Sequence, residues 1–199
     1  TKIIQRANPR FFDSKFGPDI EVWSCAASWR PHKRLKDNIR YFLEHAPQSA
    51  VFAIAGALHM DEAKEVSSID KRIVLMGDLN YISLLSLYRR SSKFIHLAYL
   101  DHCPNVVVDA QSAGCHVVCS SSGGTNEIVH TGTVILEEDW DFSPIKLYSP
   151  PPIDFKNKKE VMSHQCEDKK PNIVDCSMRY YNILNEVMND RNQKNRRIQ

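Results

Sequence analysis

Short apolar runs recur along the first two-thirds of the chain at regular intervals. IEVWSCA (20–26), AVFAIAG (50–56), RIVLMG (72–77), KFIHLA (93–98), HVVCS (116–120) and TVILE (133–137) are rich in β-branched and aromatic residues. They are continuous rather than alternating, the pattern of strands covered on both faces of a parallel sheet. Between them the apolar spacing becomes helical. In 33–46, Leu35, Ile39, Phe42 and Leu43 fall on one face, and 80–92 repeats this with Ile82 and Leu85. PNVVVDAQSAG (104–114) opens with Pro and closes with Gly, which are start and stop signals for a helix. Strand and helix alternating about five times predict an α/β fold, a Rossmann-like doubly wound parallel sheet of about six strands. Right-handed crossovers then bring every strand's carboxyl end to one edge, and a ligand site is expected there.

The last third differs. Residues 143–160 hold four prolines and predict no continuous element, whereas 172–191 regain helical spacing through Ile173, Met178, Tyr180, Tyr181, Leu184 and Val187. The predicted organisation is a main domain over 19–140 and a Pro-rich loop with a C-terminal helical extension over 141–192. A disordered tail over 193–199 carries the basic cluster at 194–197.

Composition narrows the function classes. The 199 residues carry 26 basic and 24 acidic side chains, a formal net charge of +2, so nucleic acid is not an expected partner. No apolar stretch approaches the roughly 20 residues of a transmembrane span, and the first residues lack the apolar core of a signal peptide. Cys25, Cys103, Cys115, Cys119, Cys166 and Cys176 mostly lie in apolar runs, which suits reduced thiols and a cytoplasmic location. The histidines show no ligand spacing, and Cys115-x-x-x-Cys119 has no second pair, so no metal site is expected. His96 reads as a core histidine, Arg34 as a solvated one, and Trp29 as either a packing residue or a lid. A nicotinamide-dependent oxidoreductase would need a G-x-G-x-x-G turn after the first strand; the chain has AASWRPHK instead.

The chemistry concentrates in residues 94–129, FIHLAYLDHCPNVVVDAQSAGCHVVCSSSGGTNEIV. A strand ends near Ala98, a short loop carries Asp101, and a helix starts near Pro104. Its first amides, from about Cys103 through Asn105 and Val106 to Val107, form an anion site with the positive end of the helix dipole. Asp109 lies roughly 8 Å further along at 1.5 Å per residue, a separation that suits a ribose whose diphosphate rests on the helix start. One strand later, Gly123 and Gly124 allow close backbone approach to a ligand.

This segment resembles the signature of retaining glycosyltransferases with two Rossmann-like domains, P-S-x-x-E-G-F-P-x-x-x-x-E-A-x-A-x-G-x-P-V-V followed by G-G-x-x-E-I-V. Asp101 and Asp109 fall on its two glutamates, Ala110, Ala113 and Gly114 on its small positions, and Gly123, Gly124, Glu127, Ile128 and Val129 on its second block. Upstream, WSCAASWRPHKRLKDNIRYFL is similar to the strand and phosphate loop V-G-R-L-x-x-x-K-G. Lys33 there takes the donor-phosphate lysine position and Ser28 the usual arginine position. Residues 1–18 resemble the linker that follows the N-terminal domain in this class.

The resemblance implies the donor-binding half of a retaining enzyme that moves sugar from a nucleoside diphosphate sugar, GDP- or UDP-linked, to an acceptor hydroxyl without a metal. Asp101, Lys33 and Arg30 form the implied catalytic set, with Arg30 replacing the cation lost at Ser28. Asp109, Ser28, His102, Cys103, Pro104, Asn105, Val106, Gly123 and Gly124 bind the donor. Residues 56–59 and 77–79 meet the base and sugar. Acceptor recognition, and any contact with a membrane surface, falls to an absent N-terminal domain, so this chain alone is expected to bind donor with little transfer. Both glutamates are aspartates here, which opens a second reading as a non-catalytic binding module. A sugar-nucleotide epimerase shares the implied architecture.

Overall fold

The computed structural model describes residues 4–137, 145–155, 160–164, 177–178 and 180–185. Residues 1–165 form one compact unit and 166–199 a second. The first opens with a short helix α1 (Asp13–Phe16) and then alternates: β1 (Val22–Ala26), α2 (Leu35–His45), β2 (Val51–Ala55), α3 (Met60–Ile69), β3 (Ile73–Gly77), α4 (Tyr81–Arg90), β4 (Lys93–His96), α5 (Asn105–Ala113), β5 (His116–Ser120), α6 (Thr125–Ile128), β6 (Thr131–Ile135) and β7 (Glu160–His164). The strands form one sheet in the order β3-β2-β1-β4-β5-β6-β7. The first six strands are mutually parallel, as their apolar runs predict, and β7 joins antiparallel to β6. The second unit has a helical stretch at 177–178 and 180–185, where the spacing predicts one. The predicted tail, Cys166 and Cys176 lie outside the described residues.

The runs are continuous because successive residues feed two separate cores, as a pleated strand with side chains alternating between faces requires. Val22 and Ala26, Ala53 and Ala55, Phe94, and Val117 and Cys119 join the core under α1, α4 and α5. Their strand neighbours Trp23 and Cys25, Phe52 and Ile54, Ile95, and Val118 join the opposite core under α2.

Three departures have local causes. β6 starts at Thr131, two residues before its apolar run. Gly132 makes this pairing possible, because a Cβ there would stand 2.3 Å from the Val117 carbonyl oxygen. α3 escapes the apolar spacing because Val66 is its one buried residue among the described ones; Ala63, Lys64 and the glutamates give it helix propensity without a broad stripe. β7 lies in the stretch expected to hold only a loop and helix. The Pro-rich part is loop at 145–155, as expected, but it is anchored. Ile153 is buried in the α2 core, Arg40 donates to the Ile153 carbonyl, and Arg34 Nη2 donates to the Pro151 carbonyl at 2.8 Å.

Candidate functional site

β1 and β4 are sheet neighbours whose crossovers depart in opposite directions, so the loops leaving their carboxyl ends diverge and open a crevice. The β1 loop tightens into a 3-10 turn over Pro31–Lys33 and delivers Lys33. The β4 loop delivers Asp101. Their side chains meet: Lys33 Nζ donates to Asp101 Oδ2 at 2.5 Å. His96, from the last residue of β4, is 3.0 Å away from the same oxygen through Nε2. The hydrogen bond from His96, with that from Lys33, holds the Asp101 carboxyl well below the usual carboxylate range, against the burial that pushes it up. Burial holds the His96 imidazole below its ordinary 6.5, outweighing the pull of Asp101. Sequence reading misses this partnership; a histidine closing an apolar strand at the ligand edge, five residues before an acid, is its one available signal.

The backbone of Asp101 is fixed from the other side. Its carbonyl accepts from Gly124 N at 3.0 Å and from Thr125 Oγ1 at 3.1 Å, and Ser122 Oγ accepts from Leu100 N at 3.0 Å. A Cβ on Gly123 would stand 2.6 Å from the Asp101 carbonyl oxygen, and one on Gly124 2.5 Å from that of His102. Gly123 also has a φ of 82°. Both glycines therefore admit the backbone of the neighbouring loop.

α5 begins beside this pair. Pro104 is its N-cap, without a side-chain cap, so the amides of Asn105 and Val106 have no helical partner. His102 and Cys103 are exposed next to them. Asp109 follows on the helix and accepts from the Tyr81 hydroxyl at 3.2 Å, a partner the sequence did not suggest. Burial raises the Asp109 carboxyl, with the Tyr81 hydrogen bond acting against it. Tyr81 opens α4 directly after the β3 loop. The end of β3 and its loop touch the β2 loop through Gly56 N to Gly77 O, 2.9 Å, and Ala57 N to Asp78 Oδ1, 3.0 Å, which joins residues 56–57 to 77–78 on this edge. Ser28 and Arg30 are exposed on the β1 loop, and no described side chain bonds to them. Trp29 is a packing residue, its Nε1 donating to the Ala55 carbonyl at 3.0 Å.

Arg34 is a correction. It is not solvated: 4% exposed, it forms a bidentate pair with Glu137 (2.6 and 2.9 Å) and lies over the Tyr99 ring. Its φ of 51° is left-handed, the conformation expected of the glycine that follows lysine in the V-G-R-L-x-x-x-K-G pattern. Its guanidinium is matched bidentately to the Glu137 carboxylate. Glu137 also accepts from Ser120 Oγ. Cys25, Cys115 and Cys119 are buried free thiols and Cys103 an exposed one. Among the described residues no cluster of three His, Cys, Asp or Glu side chains is placed to hold a metal. No described helix is long and apolar enough to cross a membrane.

A doubly wound sheet with an acid, a lysine and an uncapped helix start at its switch point has its candidate site where open α/β sheets generally receive ligands. Residues 24–142 match the profile of glycosyl transferases group 1, and the chain belongs to that family. Among curated proteins no sequence matches it. Solved structures agree on the fold. Anabaena HepE, determined in complex with UDP-glucose, is 18% identical with a TM-score of 0.54, covering 63% of this chain and 38% of its own. WaaG, a glycosyltransferase involved in lipopolysaccharide biosynthesis, is 18% identical with a TM-score of 0.54 over 67% of this chain and 40% of its own. Sucrose-phosphate synthase from Thermosynechococcus elongatus is 14% identical with a TM-score of 0.56 over 68% and 38%. The chain thus spans about two-fifths of the length of these structures.

Proposed function

We propose that this chain binds a nucleoside diphosphate sugar at the carboxyl edge of its sheet and serves as the donor half of a retaining glycosyltransferase. One observation supports the reading: along the chain the uncapped start of α5 lies between Asp101, paired with Lys33, and Asp109, which matches the sugar–diphosphate–ribose order of such a donor. The leaving group is a diphosphate, so the chemistry needs preorganised positive charge at the departing oxygen. The amides of Asn105 and Val106 supply it, Lys33 adds to it on leaving Asp101, and exposed Arg30 contributes a second cation. Asp109 takes the ribose hydroxyls and Asp101 a hydroxyl of the sugar. The acceptor hydroxyl attacks from the face that the leaving group departs, and a second domain holds the acceptor. The buried thiols Cys25, Cys115 and Cys119 support a reducing, cytoplasmic setting. A solved relative of the fold bound to UDP-glucose supports the donor class.

Calorimetry with UDP, GDP and ADP tests the reading. Binding by at least one is expected, and Asp109→Ala weakens it about tenfold or more, the loss of roughly 1.4 kcal/mol of hydrogen bonding to ribose. Absence of heat from all three sinks the proposal. Unchanged affinity in Asp109→Ala removes the ribose role.

A further inference from the structure

The chain closes β4 with a histidine that is 5% exposed and spends its Nε2 on one side chain, Asp101. Three features of that contact go together. Lys33 Nζ and His96 Nε2 both reach Oδ2, at 2.5 and 3.0 Å, and among the described residues no hydrogen bond is made to Oδ1. An ionised carboxylate only accepts, so Nε2 must carry the proton of the bond. The imidazole is fixed, lying parallel to the Phe94 ring (6.4 Å, 11°) inside the sheet's end, whereas the Lys33 ammonium swings on a flexible stem.

We propose that His96 is a positioning residue for the sugar of the donor: its Nε2–H anchors Oδ2 of Asp101, which turns Oδ1 toward a sugar hydroxyl and keeps the carboxylate in place when Lys33 moves to the diphosphate. This rests on the donor-site reading above. With Lys33 as sole partner, Asp101 would hold the lysine back from the phosphates and lose its orientation once the lysine left. A second, rigid donor removes that conflict, so the two roles of the pair can operate together. Asp101 is one methylene shorter than glutamate, and a buried anchor behind it fixes where its short reach is spent.

The test uses the full chain and compares a nucleotide with its sugar ester: UDP against UDP-glucose, and GDP against GDP-mannose. His96→Leu is expected to lower affinity for the sugar ester about tenfold while changing the bare diphosphate by less than about threefold. His96→Gln, which retains an N–H donor near the Nε2 position, restores the sugar preference. Equal weakening of both ligands would mean a packing role and overturns the proposal, as does an unchanged preference in His96→Leu. Ring-nitrogen NMR of the unliganded protein reads the bond even if the leucine variant fails to fold. A proton on Nε2 whose resonance moves in Asp101→Asn is expected; a bare Nε2 overturns the anchor. If the wild-type chain binds neither nucleotide nor ester while Nε2 is protonated, the anchor stands as geometry, but the donor reading fails and takes the sugar-positioning role with it.

Discussion

At the scale of single residues, the site is built from positions where chemistry and backbone constraint coincide. Gly123 combines a φ of 82° with a neighbouring carbonyl 2.6 Å from any added Cβ. Gly123→Ala should therefore cost about 3 kcal/mol in chemical unfolding, the sum of left-handed strain and a backbone clash, and should displace Asp101 with it. Arg34 presents the opposite case, a non-glycine residue in a left-handed position whose side chain is ion-paired with Glu137. Arg34→Ala leaves the half-buried Glu137 without its main partner, and a loss of about 2 kcal/mol is expected. Arg34→Gly suits the backbone but leaves the same orphaned carboxylate, so Glu137→Gln in that background should recover part of the loss. No recovery would show that the ion pair is incidental.

At the scale of elements, function depends on which loops the sheet brings together. The carboxyl ends of β1 and β4, Ala26 and His96, are 70 residues apart, yet their adjacency alone makes Lys33 and Asp101 partners. In the same way α4 packs against α5 and puts the Tyr81 hydroxyl on Asp109. Tyr81→Phe frees that carboxylate from a competing donor but also loosens its aim. On the proposed ribose role of Asp109, which needs a fixed acceptor, a drop of about threefold in nucleotide affinity is expected, near 0.7 kcal/mol by calorimetry; tighter binding would reverse the assignment. Strands β1–β6 and helices α2, α4 and α5 were legible because apolar periodicity is a local property. α3 and β7 were not, since α3 buries little and β7 exposes Val161 and Met162, deriving its place from β6.

At the scale of the whole molecule, the buried histidine links stability to pH. His96 titrates below 6.5 when folded, so between that depressed value and 6.5 the unfolded chain holds a proton the native state refuses. Stability must then fall as pH drops below about 6.5, by at most about 1.4 kcal/mol per pH unit for this group. Asp101, depressed in its turn, contributes fully above the ordinary 3.8 and loses that contribution as pH falls further through its native value. Thermal unfolding at pH 7.5 and 5.5 should show the first loss, and His96→Gln should reduce it. His32 and His116, also lowered by burial, account for what remains. An unchanged slope in the variant would place the linkage elsewhere.

The sequence by itself determined the parallel α/β frame, the edge that holds the candidate site, and the acids, lysine and glycines on it, because strand burial, helix caps and loop glycines act over a few neighbouring residues. Tertiary structure alone decided the pairing of those groups. His96 and Lys33 converge on one oxygen of Asp101, Gly123 and Gly124 admit a neighbouring backbone, Tyr81 bonds Asp109, and Arg34 is buried on Glu137, 103 residues away. The physical reason is the same throughout: a hydrogen bond or ion pair is fixed by distance in space, and in a doubly wound sheet that distance is set by strand order rather than by position along the chain.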